Sequence, residues 1–297
     1  MDATPNLDTF LNEQFSLQIA GRSPITRDDG DSTLLMKVWT ESKSYLLKEV
    51  PTRAVRPELD RIFKDLWSVF LRGVDLVLPI AGPDGKFLQQ HDGKSYVLLE
   101  WEDLKPFSQT KIDHKEMLET FSHFHEAVWE FRWPWRPGKT LATWYIRGVD
   151  KLTEKFGPHE PCLARLREFA QDRLPNLEFT VGNIHTDVHE HNVAFAKEGW
   201  LKILDFDEVQ RGEVFWDLVR VTAMYGAVNL AQGWAMIDPE RIEELVRHAQ
   251  PVSKGITAQD VRFFLARVWL GPLQDPAYPF EESAPKFLRS IDEFLSV

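Results

Sequence analysis

The chain reads His-Thr-Asp-Val-His-Glu-His-Asn over residues 185–192 and Ile-Leu-Asp-Phe-Asp over residues 203–207. Between these motifs lie two short apolar runs, Val-Ala-Phe-Ala at 193–196 and Leu-Lys-Ile-Leu at 201–204. The segment Lys-Glu-Gly at 197–199 separates the runs and has the composition of a tight turn. The sequence therefore predicts a β-hairpin that begins directly after the first motif and leads into the second.

Three oxygen-bearing side chains flank this hairpin. Asn192 stands five positions after Asp187, and Asp205 follows the second strand. Phosphoryl transfer needs a carboxylate that orients the attacking hydroxyl and accepts its proton, together with hard oxygen ligands for Mg²⁺. We therefore expect Asn192 and Asp205 to hold the metal and Asp187 to act on the hydroxyl.

The pattern His-x-Asp-x-His-x-x-Asn at 185–192, followed by Ile-Leu-Asp-Phe at 203–206, resembles the catalytic and metal loops of kinase-like phosphotransferases. His189 stands where protein kinases usually carry lysine, and in this the chain is similar to the aminoglycoside phosphotransferase and choline kinase family. The resemblance implies ATP and Mg²⁺ as cofactors and a small-molecule hydroxyl acceptor, such as an amino-sugar or an amino-alcohol, as substrate. It also implies the protein-kinase-like fold.

The resemblance assigns roles to single residues of the motifs. Asp187 is the expected catalytic residue, His185 supports its loop by packing and hydrogen bonding, and Asn192 and Asp205 are the expected metal ligands. Asp217, in a Phe-Trp-Asp-Leu segment, is expected to brace the catalytic loop by accepting backbone hydrogen bonds.

Upstream, the resemblance implies a lysine on the third strand that binds the α- and β-phosphates of the nucleotide. Lys48, in Tyr-Leu-Leu-Lys-Glu-Val at 45–50, has that context. The usual partner of this lysine is a glutamate in the following helix, for which Glu58 is the best-placed candidate. Glu49 and Asp60 are close enough along the chain to remain alternatives.

Two further segments concern the nucleotide. Residues 96–101 resemble the last strand of the small lobe running into a hinge, so the backbone of Glu100, Trp101 and Glu102 is expected to meet the adenine edge. The turn at 27–32 contains one glycine, whereas protein kinases have a glycine-rich loop at this place. A glycine-poor turn offers the phosphates fewer backbone N–H groups that can approach closely. The choice between ATP and GTP therefore stays open.

Hydrophobic periodicity predicts an α+β chain, with a small sheet and one helix first and a mostly helical part after it, and the resemblance implies that these two parts are the lobes of the kinase-like fold. Residues 1–100 are predicted to form a nucleotide-binding lobe, an antiparallel sheet with one helix over about 59–70 that Gly73 ends. Residues 101–297 are predicted to form a mostly helical catalytic and substrate-binding lobe. The strands predicted in the first lobe lie near residues 15–19, 34–39, 45–50, 77–80, 87–88 and 96–100.

The composition of the chain limits the classes of binding partner, the cellular location and the metal that we expect. The 297 residues include 35 Lys and Arg against 46 Asp and Glu, a formal charge of −11, which disfavours binding to nucleic acid or to an anionic membrane. One cysteine permits no internal disulfide, and neither a leader nor a membrane span is evident, so the cytoplasm is the expected location. Zinc is disfavoured at His185, His189 and His191 because nearby carboxylate and amide oxygens prefer a harder cation.

Two alternative functions stay open. One is a protein serine/threonine kinase of the same fold, against which the glycine-poor turn and His189 speak. The other is a non-catalytic kinase-like protein that binds a partner or a nucleotide. The joint presence of Lys48, Asp187, Asn192 and Asp205 argues against the second alternative, because a scaffold has no chemical need of all four.

Overall fold

The computed structural model describes residues 7–25, 33–52, 54–107, 112–136, 140–196, 200–275 and 282–297. The turn expected at 27–32 and the hairpin turn at 197–199 lie outside the described residues. Backbone contacts divide the chain into two compact units. The first unit comprises residues 1–110 and 190–208, and the second comprises residues 111–189 and 209–297.

The helices are α1 Leu7–Phe15, α2 Leu59–Leu71, α3 His114–Val128, α4 Leu141–Phe156, α5 Pro161–Glu168, α6 Phe215–Met224, α7 Pro239–Ala249, α8 Ala258–Trp269 and α9 Ala284–Ser296. The strands are β1 Gly21–Pro24, β2 Leu35–Trp39, β3 Ser44–Val50, β4 Pro79–Ile80, β5 Leu88–His91, β6 Lys94–Glu100, β7 Lys105–Pro106, β8 Glu178–Phe179, β9 Val181–Ile184, β10 Val193–Phe195, β11 Leu201–Ile203, β12 Gln210–Glu213, β13 Ala227–Asn229, β14 Trp234–Met236 and β15 Ser253–Lys254.

The first unit is built on an antiparallel sheet in the order β1-β2-β3-β6-β4, with β5 also paired to β6. Strand β3 is interior, and its Lys48 lies opposite Leu35 of β2 and Val97 of β6. Because side chains alternate along a strand, Leu47 packs into the core under α1, whereas Leu46 and Lys48 line a cavity on the other face. The predicted sheet is confirmed, and its pleat directs Lys48 to the cavity face.

Helix α1 corrects the prediction for the N-terminal region. A strand over residues 15–19 and a single helix in this region were expected, but α1 ends at Phe15, residues 16–19 form no strand, and β1 begins only at Gly21. Ser16 has φ of 56°, a left-handed conformation that ends the helix. Leu17 and Ile19 pack against the core cluster formed by α1 and the sheet. This packing explains why apolar and polar residues alternate over 15–19 although these residues do not pair as a strand.

The predicted hairpin is present. Strands β10 and β11 pair antiparallel with Val193 opposite Ile203, and β10 also pairs with β7. The hairpin therefore belongs to the first unit, although the residues before Glu190 belong to the second. The boundary between the units falls inside the motif at 185–192.

The second unit is mainly helical, as predicted. Its aromatic core includes Phe121, Tyr145, Phe215 and Phe264, all buried, and Phe215 and Phe264 meet edge to face. The antiparallel pair β9–β12 leads on one side into the motif at 185–192 and on the other into α6. None of the helices in the described ranges is long and apolar enough to span a bilayer.

Gly148, in the middle of α4, is expected to resist even a small substitution. A Cβ atom there would overlap the guanidinium group of Arg267, whose side chain is buried over the Trp144 ring and cannot move aside freely. Alanine is the better helix former by about 1 kcal/mol, but overpacking of this kind costs about 1–3 kcal/mol or more.

We therefore expect Gly148→Ala to lower the free energy of unfolding by about 2 kcal/mol, measured by chemical denaturation. Gly271→Ala is the matched control, because a Cβ at Gly271 meets nothing within 4 Å. Equal effects of the two substitutions would contradict the steric explanation.

Candidate active site

Asp217 holds the start of the motif loop. It lies in the first turn of α6, is fully buried, and accepts hydrogen bonds from the backbone N–H of His185 at 2.7 Å and of Thr186 at 2.9 Å. A carboxylate that accepts several such bonds fixes the backbone conformation of the donors. The expected bracing role of Asp217 is confirmed.

His125 completes this buried network and was not identified from the sequence as part of it. Its Nε2 lies 2.9 Å from Asp217 Oδ2, and because an ionised carboxylate can only accept, this nitrogen carries the hydrogen. The sequence signal was present, since His125 shares the apolar face of α3 with Phe121 and Val128. Its neighbour two positions back, His123, is exposed.

Asp187 follows a residue with an unusual backbone. Thr186 has φ of 71°, a left-handed conformation that is rare outside glycine and costs about 1 kcal/mol or more. The two backbone bonds to Asp217 and a bond from Trp216 Nε1 to the Thr186 carbonyl at 2.8 Å hold this conformation. These bonds fix the backbone that leads into Asp187.

Two basic side chains lie beside the Asp187 carboxylate. His189 Nε2 is 3.5 Å from Oδ2, and Arg220 Nη2 is 3.8 Å from Oδ1 while Arg220 Nε donates to the Val188 carbonyl at 3.0 Å. Burial opposes ionisation, but the hydrogen bond and charge of His189 and the charge of Arg220 outweigh it, and the pKa of Asp187 lies below its usual range. Asp187 is therefore a carboxylate at neutral pH. Arg220 is a site neighbour that the sequence analysis missed.

In the first unit, the hairpin brings Asn192 and Asp205 to the same end of β10 and β11. The Leu204 N–H donates to the Asn192 carbonyl at 2.9 Å, which extends the ladder by one step. Asp205 has φ of 59°, the second left-handed non-glycine residue of the two motifs. Both side chains line the cavity of about 840 Å³ that Lys48 also lines.

Lys48 lies between two carboxylates. Its Nζ is 2.5 Å from Asp205 Oδ1 and 2.8 Å from Asp207 Oδ2. Burial lowers the pKa of Lys48, but Asp207 and Asp205 outweigh this and leave the pKa raised, so the ammonium form is secure. Burial also raises the pKa of Asp207 to about 6, against the attraction of Lys48.

The three acidic residues considered as partners of Lys48 do not pair with it in the described part of the chain. Glu58 precedes α2 as its half-buried N-cap residue. Glu49 forms an ion pair with Lys94 at 2.9 Å, and Asp60 accepts from the N–H groups of Phe87 and Leu88. The nucleotide-binding role of Glu58 stays a prediction.

The segment expected to meet adenine is held by ion pairs on its side chains. Glu100 pairs with Lys43 at 2.7 Å and Glu102 with Lys202 at 2.8 Å, while Trp101 lies under the Lys37 ammonium. The N–H groups of Glu100 and Trp101 donate to the Leu78 and Ser44 carbonyls. All three residues line the cavity that contains Lys48, and adenine contact by their backbone remains a prediction.

The donor set of the cavity suits a hard divalent cation. Asn192 supplies an amide oxygen, and Asp205 and Asp207 supply carboxylate oxygens, whereas none of the described residues that line the cavity carries a sulfur ligand. Asn192 is 6% exposed and Asp207 is 5% exposed, so the polar end of the cavity is enclosed by protein. The residues present therefore fit Mg²⁺.

Comparison with known proteins places this arrangement among phosphotransferases. A family model described as the phosphotransferase enzyme family matches residues 27–245. No curated protein matches the chain by sequence.

Several solved structures share the fold at low identity. A spectinomycin phosphotransferase in complex with ADP and spectinomycin has a TM-score of 0.61 at 13% identity, covering 98% of this chain and 97% of that chain. An amicoumacin kinase in complex with AMP-PNP, Ca²⁺ and Ami has a TM-score of 0.63 at 14% identity, covering 99% of this chain and 94% of that chain. A microcompartment-associated aminopropanol kinase has a TM-score of 0.55 at 14% identity, covering 98% of this chain and 94% of that chain. These likenesses establish the kinase-like fold.

Proposed function

Because the chain belongs to the phosphotransferase enzyme family, we propose that it transfers the γ-phosphate of ATP to a hydroxyl group of a small molecule. The observation that carries this proposal is the convergence of Lys48, Asn192 and Asp205 on one cavity of the first unit. A phosphate-binding cation and hard metal ligands are the groups that a nucleotide triphosphate requires. Complexes of the fold relatives with ADP or AMP-PNP support the choice of nucleotide.

The first unit supplies nucleotide binding in this proposal. Lys48 binds the α- and β-phosphates, Asn192 and Asp205 hold Mg²⁺, and the backbone of residues 100–102 meets adenine. When bound, Mg²⁺ neutralises charge on the phosphate oxygens. The ion pairs of Glu100 and Glu102 keep the adenine segment in place before the nucleotide arrives, which reduces the ordering cost of binding.

The second unit supplies the group that acts on the acceptor. The Asp187 carboxylate accepts a hydrogen bond from the acceptor hydroxyl and orients its oxygen toward the γ-phosphorus. As the new P–O bond forms, the bond to the β-phosphate oxygen breaks, ADP leaves, and the hydroxyl proton passes to Asp187. His185 supports this loop from its buried position, and the low pKa of Asp187 keeps the base ionised.

The acceptor belongs to the classes of small hydroxyl compounds that related folds use. Spectinomycin, amicoumacin and aminopropanol are named for the three relatives, and all carry hydroxyl groups. The single cysteine and acidic composition support a cytoplasmic location for this reaction.

An ADP-release screen tests the proposal. We expect Mg²⁺-dependent ADP production with at least one acceptor among amino-sugars, amino-alcohols, sugars and nucleosides, and a rise in melting temperature with ATP and Mg²⁺, since a ligand of the native state stabilises it. Labelled ATP with protein acceptors tests the protein-kinase alternative. Absence of both ADP release and a thermal shift would contradict the proposed function.

A further inference from the structure

The carboxylates that contact Lys48 both come from the segment that follows β11. Asp205 and Asp207 lie 2.5 Å and 2.8 Å from Lys48 Nζ, across sequence separations of 157 and 159 residues. Desolvating an ammonium group is costly unless carboxylates compensate it closely. Lys48 therefore depends on this segment for its charge compensation.

Helix α2 presents apolar side chains where a carboxylate partner of Lys48 would be expected. Phe63 and Leu66 line the same cavity as Lys48, and both are buried. Asp60 accepts hydrogen bonds from the N–H groups of Phe87 and Leu88 at the start of β5, and Glu58 lies ahead of the helix. Within the described residues, α2 thus gives Lys48 packing contacts at the cavity but no ion pair.

The two carboxylates differ in what else they can reach. The Asp205 side chain is 28% exposed and can turn to a ligand in the cavity, whereas the Asp207 side chain is 7% exposed and its ion pair is with Lys48. If Asp205 serves the metal, Asp207 is the carboxylate that stays with Lys48. Asp207 also lines the cavity, so it lies close enough to influence how the nucleotide binds there.

We propose that Asp207 is a positioning residue that holds the Lys48 ammonium group against the nucleotide phosphates, in the place of a helix glutamate. This inference rests on the proposed function for its catalytic consequence. It ties the phosphate-binding lysine and the metal-binding aspartate to one short segment of backbone, residues 205–207. The position of Lys48 is then set by the metal loop rather than by the orientation of α2.

A stability measurement tests the pairing without turnover. In the native background, Asp207→Asn removes a close charge partner of a buried lysine and is expected to lower the melting temperature at mildly alkaline pH. In a Lys48→Met background, two carboxylates lie together without their cation, so Asp207→Asn is expected to raise the melting temperature instead. Glu208→Gln, the matched control, removes an equal charge one residue further on and should show no such change of sign.

A loss of stability from Asp207→Asn that is equal in both backgrounds would overturn the pairing. The pairing would also be overturned if Glu58→Gln, and not Asp207→Asn, changed the melting temperature in opposite directions in the native and Lys48→Met backgrounds. The partner of Lys48 would then be the glutamate before α2.

Kinetics test the consequence for the reaction. We expect Asp207→Asn to lower kcat by about 100-fold, the scale of a misplaced catalytic group, with no change in the Mg²⁺ concentration that gives half-maximal activity. Asp205→Asn is expected to raise that concentration. In the Lys48→Met background, the further loss from Asp207→Asn should be less than about threefold, because Asp207 acts through Lys48.

An increased Mg²⁺ requirement in Asp207→Asn equal to that of Asp205→Asn would overturn the positioning role and identify Asp207 as a metal ligand. Equal kcat losses in both backgrounds would also overturn it. If the wild-type protein turns over no acceptor, the proposed function fails, and the melting temperatures still decide whether Asp207 is the partner of Lys48.

Discussion

Asp187→Asn is expected to lower kcat by about 10²–10⁴-fold, the contribution of a general base, while the affinity for ATP and Mg²⁺ changes by less than about twofold. Asparagine keeps the shape of the side chain but cannot take up a proton. Because the pKa of Asp187 is held below its usual range, the wild-type carboxylate is ionised throughout the neutral pH range used for the assay.

The measurement is steady-state kinetics with the acceptor found by the screen, together with calorimetric titration of the nucleotide. Asp150→Asn is the matched control, since Asp150 is an exposed aspartate on α4 of the same unit. A kcat for Asp187→Asn that equals the wild-type value would refute the assigned role. A parallel loss of nucleotide affinity would show that the substitution disturbs more than the base.

The second large effect is expected at Asp217. Asp217→Asn replaces one of two acceptor oxygens with an N–H donor, so at least one of the backbone N–H groups of His185 and Thr186 loses its partner in a fully buried place. An unsatisfied buried donor costs about 1–3 kcal/mol. We expect the free energy of unfolding to fall by about 3 kcal/mol and kcat to fall by about 100-fold, because the loop before Asp187 is no longer fixed.

Chemical denaturation and kinetics with the same acceptor measure both quantities. His125→Leu removes the side-chain donor that contacts Asp217 and should give a smaller loss of stability, which keeps the network testable if Asp217→Asn folds poorly. Substitution of the exposed Asp150 is expected to stay within about 0.5 kcal/mol of the wild type. Full stability of Asp217→Asn would contradict the bracing role.

Local patterns were sufficient to predict the part of the site that lies close together in sequence. The hairpin at 193–203 followed from two apolar runs and a turn, and it places Asn192 beside the segment of Asp205 by backbone pairing. The third strand was predicted in the same way, and its alternation directs Lys48 to the cavity face.

Contacts across long sequence separations could not be predicted in this way. Which acid reaches Lys48 depends on the face that α2 packs, and Phe63 and Leu66 decide that face through burial in the folded unit. Similarly, His125 meets Asp217 across 92 residues. The error at residues 15–19 has another origin, because alternation there reflects packing under α1 and no neighbouring strand exists for these residues in the described fold.

The return of residues 190–208 to the first unit has a consequence for folding during synthesis. The ribosome makes Lys48 159 residues before its partner Asp207, a delay of roughly 8–30 s at typical elongation rates. During that interval Lys48 of β3 lacks both carboxylates, and β7, which belongs to a separate small sheet, lacks its partner strand β10. Lys48 therefore stays without its two carboxylate partners until the whole motif at 185–192 and the hairpin that follows it have been translated.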